Sequence, residues 1–547
     1  MNFVIMVHLF TQLYQLEAAN AQGSWELLLE NAGIASMHTA VTHHGNVVFL
    51  DRTNIGPSPI SLANGVCRDN PKDANLTHDC TAHSVLFIPG PNTVRPLFIF
   101  TDTWCSSGQF DAEGTLVQTG GDGDGLMKVR RFTPCPSSDH AACDWVEDSD
   151  VSLQDGRWYA SNQLLPDGRQ IVVGGRGTFT FEFIPARGSQ KVFLPFLNQT
   201  NDAQNDNYYP FVHLLPDGNL YIFANRDSIV YNYQTDTVLK ALPRIPGEPR
   251  NYPSAGSSVM LPLKAEDDYG SVEVLVCGGA QPDCFRYPVP FPNASQTCGR
   301  ISVTADNPTW KMEDMPFRRA MGDMLFLASG DVLIVNGAQN GCQGWGNAKN
   351  PALSPVMYVP DAEEGSRFIT QAASAIPRVY HSTANLLPDG RVLIAGSNTH
   401  QFYTLNGTDF PTELRVEAFS PPYLESANDE KRPSIVSAPT RIVYGQVITL
   451  TVDMQVLQSA SSSGDADHQF GVSLVSSPFT THSFSQGLRF LRLGVSAQVH
   501  MGGTSYTVNA TAPLSPNVAP PAYYMLFVEN QGIPSSSAAW VQITTSS

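Results

Sequence analysis

One five-residue phrase, Leu-Leu-Pro-Asp-Gly, occurs three times in this chain, at 164–168, 214–218 and 386–390. Proline presets φ for a turn and Asp-Gly supplies the positive φ that a tight hairpin needs, so each copy predicts two antiparallel strands joined by a short connection. The runs that follow, such as Ile171-Val172-Val173-Gly174-Gly175 and Val392-Leu393-Ile394-Ala395-Gly396, are apolar on both faces and therefore buried. Weaker copies turn at Gly45, Gly114, Gly270 and Gly330, each ahead of a run such as Val47-Val48-Phe49-Leu50 or Val332-Leu333-Ile334. The seven units stand about 50 to 70 residues apart, the size of a four-stranded propeller blade with its loops. A chain of 547 residues exceeds what one hydrophobic core supports, and a repeat in which several small cores share an axis resolves that. The expectation is an all-β protein whose residues 22–425 form a seven-bladed kelch-type β-propeller.

The repeat stops after Phe419-Ser420-Pro421-Pro422-Tyr423-Leu424 and a charged stretch at 428–432. Beyond it, short β runs at 443–452, 469–475, 488–495 and 523–529 alternate with turn-rich stretches, including a linker at 459–467, which predicts an immunoglobulin-like sandwich over 426–547. At the other end, an apolar stretch at 3–16 leads to Ala19-Asn20-Ala21, a signal-peptide pattern over 1–21. Asn75, Asn198, Asn293, Asn406 and Asn509 each open an N-glycosylation sequon. Nine cysteines without a Cys-x-x-Cys, and the short separations of Cys67 from Cys80 and Cys135 from Cys143, read as disulfide staples of an oxidising compartment. Pairing among Cys277, Cys284, Cys298 and Cys342 stays open. A secreted, extracellular or cell-wall monomer is expected. A net charge of −18 with no Lys/Arg-rich run excludes nucleic acid and anionic membranes as partners.

In a propeller, residues just ahead of the innermost strands face the axial channel. His381 stands eight residues before Asp389 and Tyr159 eight before Asp167, so blade equivalence puts both at one height around the axis. Cys105 stands nine before Gly114 on the preceding blade, which makes it a neighbour of Tyr159. An odd cysteine count leaves one thiol over, and Cys105 fills that place. Tyr209 also stands eight before its own Asp217. Tyr159 is preferred, because it lies on the blade after Cys105 in Gly156-Arg157-Trp158-Tyr159, whereas Tyr209 is a blade farther and followed by Pro210.

These strings, together with Arg378-Val379-Tyr380-His381 and Ser477-Pro478-Phe479-Thr480-Thr481-His482-Ser483, resemble those of the galactose oxidase and glyoxal oxidase family of copper-radical oxidases along almost the whole chain. The resemblance implies a thioether between Cys105 and Tyr159, a second Tyr in Tyr380, and a Cu(2+) ion held by Tyr159, Tyr380, His381 and His482. It places His482 on a loop of the C-terminal domain that reaches into the propeller. Two imidazoles and two phenolates form the tetragonal N,O environment that suits Cu(II). Copper takes one electron, a sulfur-substituted Tyr radical the other, and Tyr380 accepts the substrate proton.

Galactose oxidase stacks a Trp on its thioether. The same count past Tyr159 reaches Gly177, so that shield is absent or comes from another residue such as Phe179. The first blade also follows the leader directly, without an extra sugar-binding domain. Both departures resemble glyoxal oxidase. The expected reaction takes small aldehydes such as glyoxal or methylglyoxal, as hydrates, to acids while O2 becomes H2O2, with a peroxidase as a consumer of the peroxide. Oxidation of primary alcohols or galactose is the runner-up, and a non-catalytic propeller that binds glycan or protein is the alternative from another class.

Overall fold

The computed structural model describes residues 22–136, 143–188, 191–454 and 470–545. The expected leader and the 459–467 linker lie outside the described residues. Where Leu-Leu-Pro-Asp-Gly occurs, the Leu165 N–H donates to the Arg169 carbonyl at 2.8 Å and the Gly168 N–H returns to the Leu165 carbonyl at 3.0 Å. Leu215 and Leu387 repeat both bonds. The positive φ falls on the glycine alone, at 82° for Gly168, so Pro and Asp occupy ordinary turn positions and the loop is a three-residue hairpin with a bulge. Each Asp carboxylate then accepts the N–H two residues on, at 3.1 Å for Asp167 and 2.9 Å for Asp217, which rigidifies the turn.

Hairpins with the same two bonds open six of the seven blades, each blade contributing four antiparallel strands. Their first strands are His38–Val41 (blade 1), Ser107–Phe110 (blade 2), Ser161–Leu164 (blade 3), Phe211–Leu214 (blade 4), Gly256–Met260 (blade 5), Asp323–Phe326 (blade 6) and Ser382–Leu386 (blade 7). The first strands are buried and lie innermost. Ser24–Leu29 pairs antiparallel with Val416–Ser420 as the outer strand of blade 7, so hydrogen bonds between the two ends of the propeller sequence close the ring. Blade 5 departs from the repeat. Its first connection carries Leu263–Lys264, which pairs in parallel with Phe490–Leu493 of the C-terminal domain.

That domain is a two-sheet sandwich. One sheet runs Phe490–Leu493, Phe470–Ser476, Tyr523–Asn530, Ala539–Thr544 and Arg441–Val443; the other runs Ser434–Ser437, Val447–Asp453, Ser505–Thr511 and Val495–Gly502. Its core residues, including Leu450, Leu474, Val508 and Leu526, form one apolar cluster with Phe211, Tyr221 and Val274 of blades 4 and 5. The sandwich is thus continuous with the propeller core.

One sandwich hairpin, Phe479–Thr481 with Phe484–Gln486, enters the propeller axis. It pairs with His38–Val41 in the register Thr481 to His38 and Phe479 to Ala40, making blade 1 six-stranded. It touches the innermost strand of every blade. Full burial of Phe479 and of Phe484 stabilises this insertion by about 1.5–3 kcal/mol each. Polar ties add direction. The Gln486 side-chain oxygen accepts the Asn162 N–H at 2.9 Å, and Asn385 donates to the Thr480 hydroxyl at 3.1 Å.

Disulfides join Cys67 to Cys80, Cys135 to Cys143, Cys277 to Cys298 and Cys284 to Cys342. Cys105 is free and buried. Of the sequon asparagines, Asn75, Asn198, Asn293 and Asn406 are exposed, while Asn509 is half-buried and accepts a hydrogen bond from Thr449. Among the described residues no helix is long and apolar enough to cross a membrane.

Candidate active site

Blades 2 to 7 each carry a left-handed residue just ahead of the inner strand, and on blades 2, 3, 4 and 7 it is Cys105 (φ 49°), Tyr159 (69°), Tyr209 (48°) and His381 (66°). For non-glycine residues this conformation costs roughly 1–3 kcal/mol and marks positions where side-chain direction matters more than strain. Backbone bonds link the series. The Tyr159 N–H donates to the Cys105 carbonyl and the Tyr209 N–H to the Tyr159 carbonyl, both at 2.9 Å. His482 arrives from the opposite direction, at the tip of the inserted hairpin. His482 (45°) and Ser483 (70°) are its two turn residues, the positive-φ pair of a tight hairpin built here without glycine.

A repeated buried Arg holds these segments. Two residues before Tyr159, Arg157 donates to Glu182 at 2.8 and 2.9 Å and to the Gly174 and Thr180 carbonyls at 2.8 Å. Two residues before Tyr380, Arg378 makes the same set with Glu417, at 2.8 and 3.2 Å, and the Gly396 carbonyl at 2.8 Å.

The axial side chains converge. The His381 and His482 rings lie 4.8 Å apart, Tyr380 stacks on His381 at 3.7 Å, and Tyr159 meets His482 edge-on at 6.0 Å. The Cys105 Sγ is 3.2 Å from His482 Nε2, and the ligand atoms of Cys105, His381 and His482 all fall within 4.8 Å of one another. Tyr209 is in the cluster, but its hydroxyl donates to the Ser106 carbonyl at 2.9 Å and its ring stacks against His482. Burial drives both imidazoles well below their usual range and the Tyr159, Tyr380 and Cys105 protons well above theirs, so in the metal-free protein every group is neutral. His381 Nε2 has no hydrogen-bond partner. A buried nitrogen without a partner, facing a second imidazole and phenol oxygens, fits a tetragonal N,O metal such as Cu(II).

Sequence reasoning missed two residues. Tyr252 joins the phenols: its hydroxyl lies 3.3 Å from that of Tyr159 and 3.0 Å from that of Tyr380. Arg250-Asn251-Tyr252 repeats the Arg-x-Tyr string of Tyr159 and Tyr380, which was the available signal. The stacking aromatic is neither Gly177, whose surroundings are open, nor Phe179, which packs against the core between blades 3 and 4. Three aromatic rings stack on Tyr159 instead: Tyr252 at 4.5 Å, Trp158 at 4.9 Å and Tyr208 at 5.3 Å. A cavity of about 340 Å³ opens over Tyr159, Tyr252 and Tyr380, walled by Trp104, Trp158, Tyr208, Phe285 and Trp345, with Arg176, Gln204, Asn205 and Asn347 as its polar members. The Arg52 guanidinium lies over Trp104 at 4.4 Å, and Arg176 lies over Trp158 at 4.8 Å.

Residues 37–423 match the family model "Glyoxal oxidase N-terminus", and 432–543 match "Galactose oxidase-like, Early set domain". The chain belongs to the glyoxal oxidase family. It is 52% identical to "Aldehyde oxidase GLOX" of Vitis pseudoreticulata over 96% of this chain and 98% of that one. It is 41% identical to "Aldehyde oxidase GLOX1" of Arabidopsis thaliana over 96% and 85%. A fungal alcohol oxidase of the AA5 family, solved in complex with copper, shares the fold, with a TM-score of 0.70 at 19% identity over 95% of this chain and 99% of that one. The family is one of copper-radical oxidases, which act on small substrates with O2.

Proposed function

We propose that this chain oxidises small aldehydes, as their hydrates, to carboxylic acids and reduces O2 to H2O2. The observation that carries this reading is the buried cluster in which His381 Nε2 lacks a partner beside the His482 ring, with Tyr159 and Tyr380 packed around them and their hydroxyls bridged by that of Tyr252. Tyr159, Tyr380, His381 and His482 would hold copper, which supplies one-electron oxidising capacity beside the Tyr159 ring. Cys105, beside Tyr159 and outside every disulfide, would bond to that ring, replacing an S–H and a ring C–H by one C–S bond while the two protons and two electrons released go to O2, giving H2O2.

With copper bound, Tyr380 would be a phenolate and could act as the base for the substrate hydroxyl. Its own hydroxyl is oriented by Tyr252 at 3.0 Å, and it borders the cavity floor where the hydrate would sit. Oxidation of the hydrate releases two protons and two electrons, which balance the conversion of O2 to H2O2. Trp158 covers one face of the Tyr159 ring. The aromatic walls give little polar contact for a sugar's several hydroxyls but suit a short aldehyde. Four disulfides and the exposed sequons support a secreted, glycosylated enzyme.

Copper-loaded, oxidised protein should release peroxide faster from methylglyoxal or glyoxal than from galactose or primary alcohols. Faster turnover of an alcohol would transfer the assignment to the alcohol-oxidising members of the family. A protein that takes up no copper would leave a non-catalytic propeller.

A further inference from the structure

The imidazole of His482 has two nitrogens, and only a deprotonated Nε2 can face the Tyr159–Tyr380 cluster as a ligand. Its Nδ1 lies 2.6 Å from the Thr481 hydroxyl. That hydroxyl also lies 2.7 Å from Nδ1 of His38, the cross-strand partner of Thr481 on blade 1. His38 Nε2 lies 3.1 Å from the Thr103 carbonyl and 3.2 Å from the Ser106 hydroxyl. All of these groups are buried.

The order of protons along this chain follows from one fact: a carbonyl oxygen only accepts. The Thr103 carbonyl therefore requires a proton on His38 Nε2. His38 is fully buried, its ring nitrogens meet only a carbonyl and two hydroxyls, and the nearby Arg130 guanidinium disfavours a second positive charge, so it is uncharged and its bare Nδ1 must accept from Thr481. With its single proton donated to His38, the Thr481 oxygen accepts the Nδ1 proton of His482. His482 Nε2 is then bare, where it can accept from the Cys105 thiol at 3.2 Å or bind a metal. The reverse order would set two lone pairs against each other at 3.1 Å between His38 Nε2 and Thr103. Tyr209, the other hydroxyl near Thr481, donates its one proton to the Ser106 carbonyl and so has none to give Thr481.

We propose that His38 and Thr481 are positioning residues that hold His482 as its Nδ1–H tautomer, so that hairpin register on blade 1 and ligand readiness at the axis are one event. A slip of one residue in the His38–Thr481 pairing would break the relay and turn His482 away together. The proposal rests on reading His482 as a copper ligand, but its central statement concerns the metal-free protein.

The test is long-range 1H–15N correlation of 15N-histidine-labelled apo protein, assigned with His482→Ala and His38→Ala, followed by copper competition against a chelator. His482 should show the Nδ1–H pattern in the wild type. Thr481→Val, which keeps the shape and deletes the hydroxyl, should lose that pattern and weaken copper binding 10- to 100-fold, and Thr481→Ser should restore both. An Nε2–H pattern for wild-type His482 overturns the relay without any variant, even if Thr481→Val does not fold. Unchanged tautomer and copper affinity in Thr481→Val overturn it as well. An Nδ1–H pattern in a protein that takes up no copper upholds the relay and rejects the copper reading.

Discussion

Arg157 is fully buried, and the two-residue segment after it delivers Tyr159 to the axis. Changing Arg157→Met keeps much of the apolar stem and removes the guanidinium, leaving Glu182 with 5% side-chain exposure and no counter-charge. Glu182 still accepts the Gln154 and Asp155 N–H groups, at 2.6 and 3.3 Å, but the Gly174 and Thr180 carbonyls each lose a donor. Breaking a buried ion pair from one side costs about 3–5 kcal/mol, most of it the stranded charge. Adding Glu182→Gln removes that charge while retaining an acceptor for Gln154, so only the carbonyl bonds remain lost, about 1–3 kcal/mol. The double variant should therefore unfold at higher urea than Arg157→Met alone, by tryptophan fluorescence on copper-free protein. The order of the two midpoints is the readout. A single variant within about 1 kcal/mol of wild type, or a double variant below the single, would refute the claim that charge pairing holds this segment.

Tyr252→Phe keeps the ring stacked 4.5 Å from Tyr159 and deletes two hydrogen bonds; at about 0.5–1.5 kcal/mol each, kcat/KM should fall roughly tenfold with copper content unchanged, and an unaltered pH–rate profile and rate would remove Tyr252 from the site's chemistry. Cys105→Ala should retain copper and lose nearly all turnover, since an unsubstituted phenol is harder to oxidise; comparable turnover would show that no sulfur substituent is needed. Burial pushes the Asp323 carboxyl up to about 8, with Asn336 and Arg319 only partly offsetting it. The native state therefore binds this proton more tightly than the unfolded chain. Its stabilisation is full below pH ~4 and is lost, by up to about 1.4 kcal/mol per pH unit, as pH rises towards 8. Asp323→Asn should flatten that slope and be the more stable protein at pH 8, as read from urea midpoints across pH.

What the sequence disclosed was local chemistry. The Leu-Leu-Pro-Asp-Gly turn fixes a hairpin within a few residues, and its constant offset from the axial residue carried His381 and Tyr159 to one height. That counting could not reach Tyr252, because the left-handed residue just ahead of the inner strand of blade 5 is Ala255 and Tyr252 lies three residues before it, although Arg250 repeats the Arg-x-Tyr string. It failed again at the stacking aromatic, because the left-handed Tyr159 brings its own neighbour Trp158 over the ring and the count forward to Gly177 missed it. The preference for Tyr159 over Tyr209 was legible in blade order and in the Arg-x-Tyr string, and the structure adds a difference in hydroxyl partners: Tyr252 for one, the Ser106 carbonyl for the other. His38 and Thr481 left no sequence signal at all. Their pairing joins strands from opposite ends of the chain.

The central claim is a copper-radical site built on Cys105 and Tyr159, and peptide mapping of the protein after aerobic copper loading tests it most directly. The account predicts that the peptides containing Cys105 and Tyr159 elute as one covalent species, two hydrogens lighter than their sum and resistant to thiol reductants. Recovery of Cys105 as a free thiol from copper-loaded protein, or its bonding to Tyr209, would contradict it.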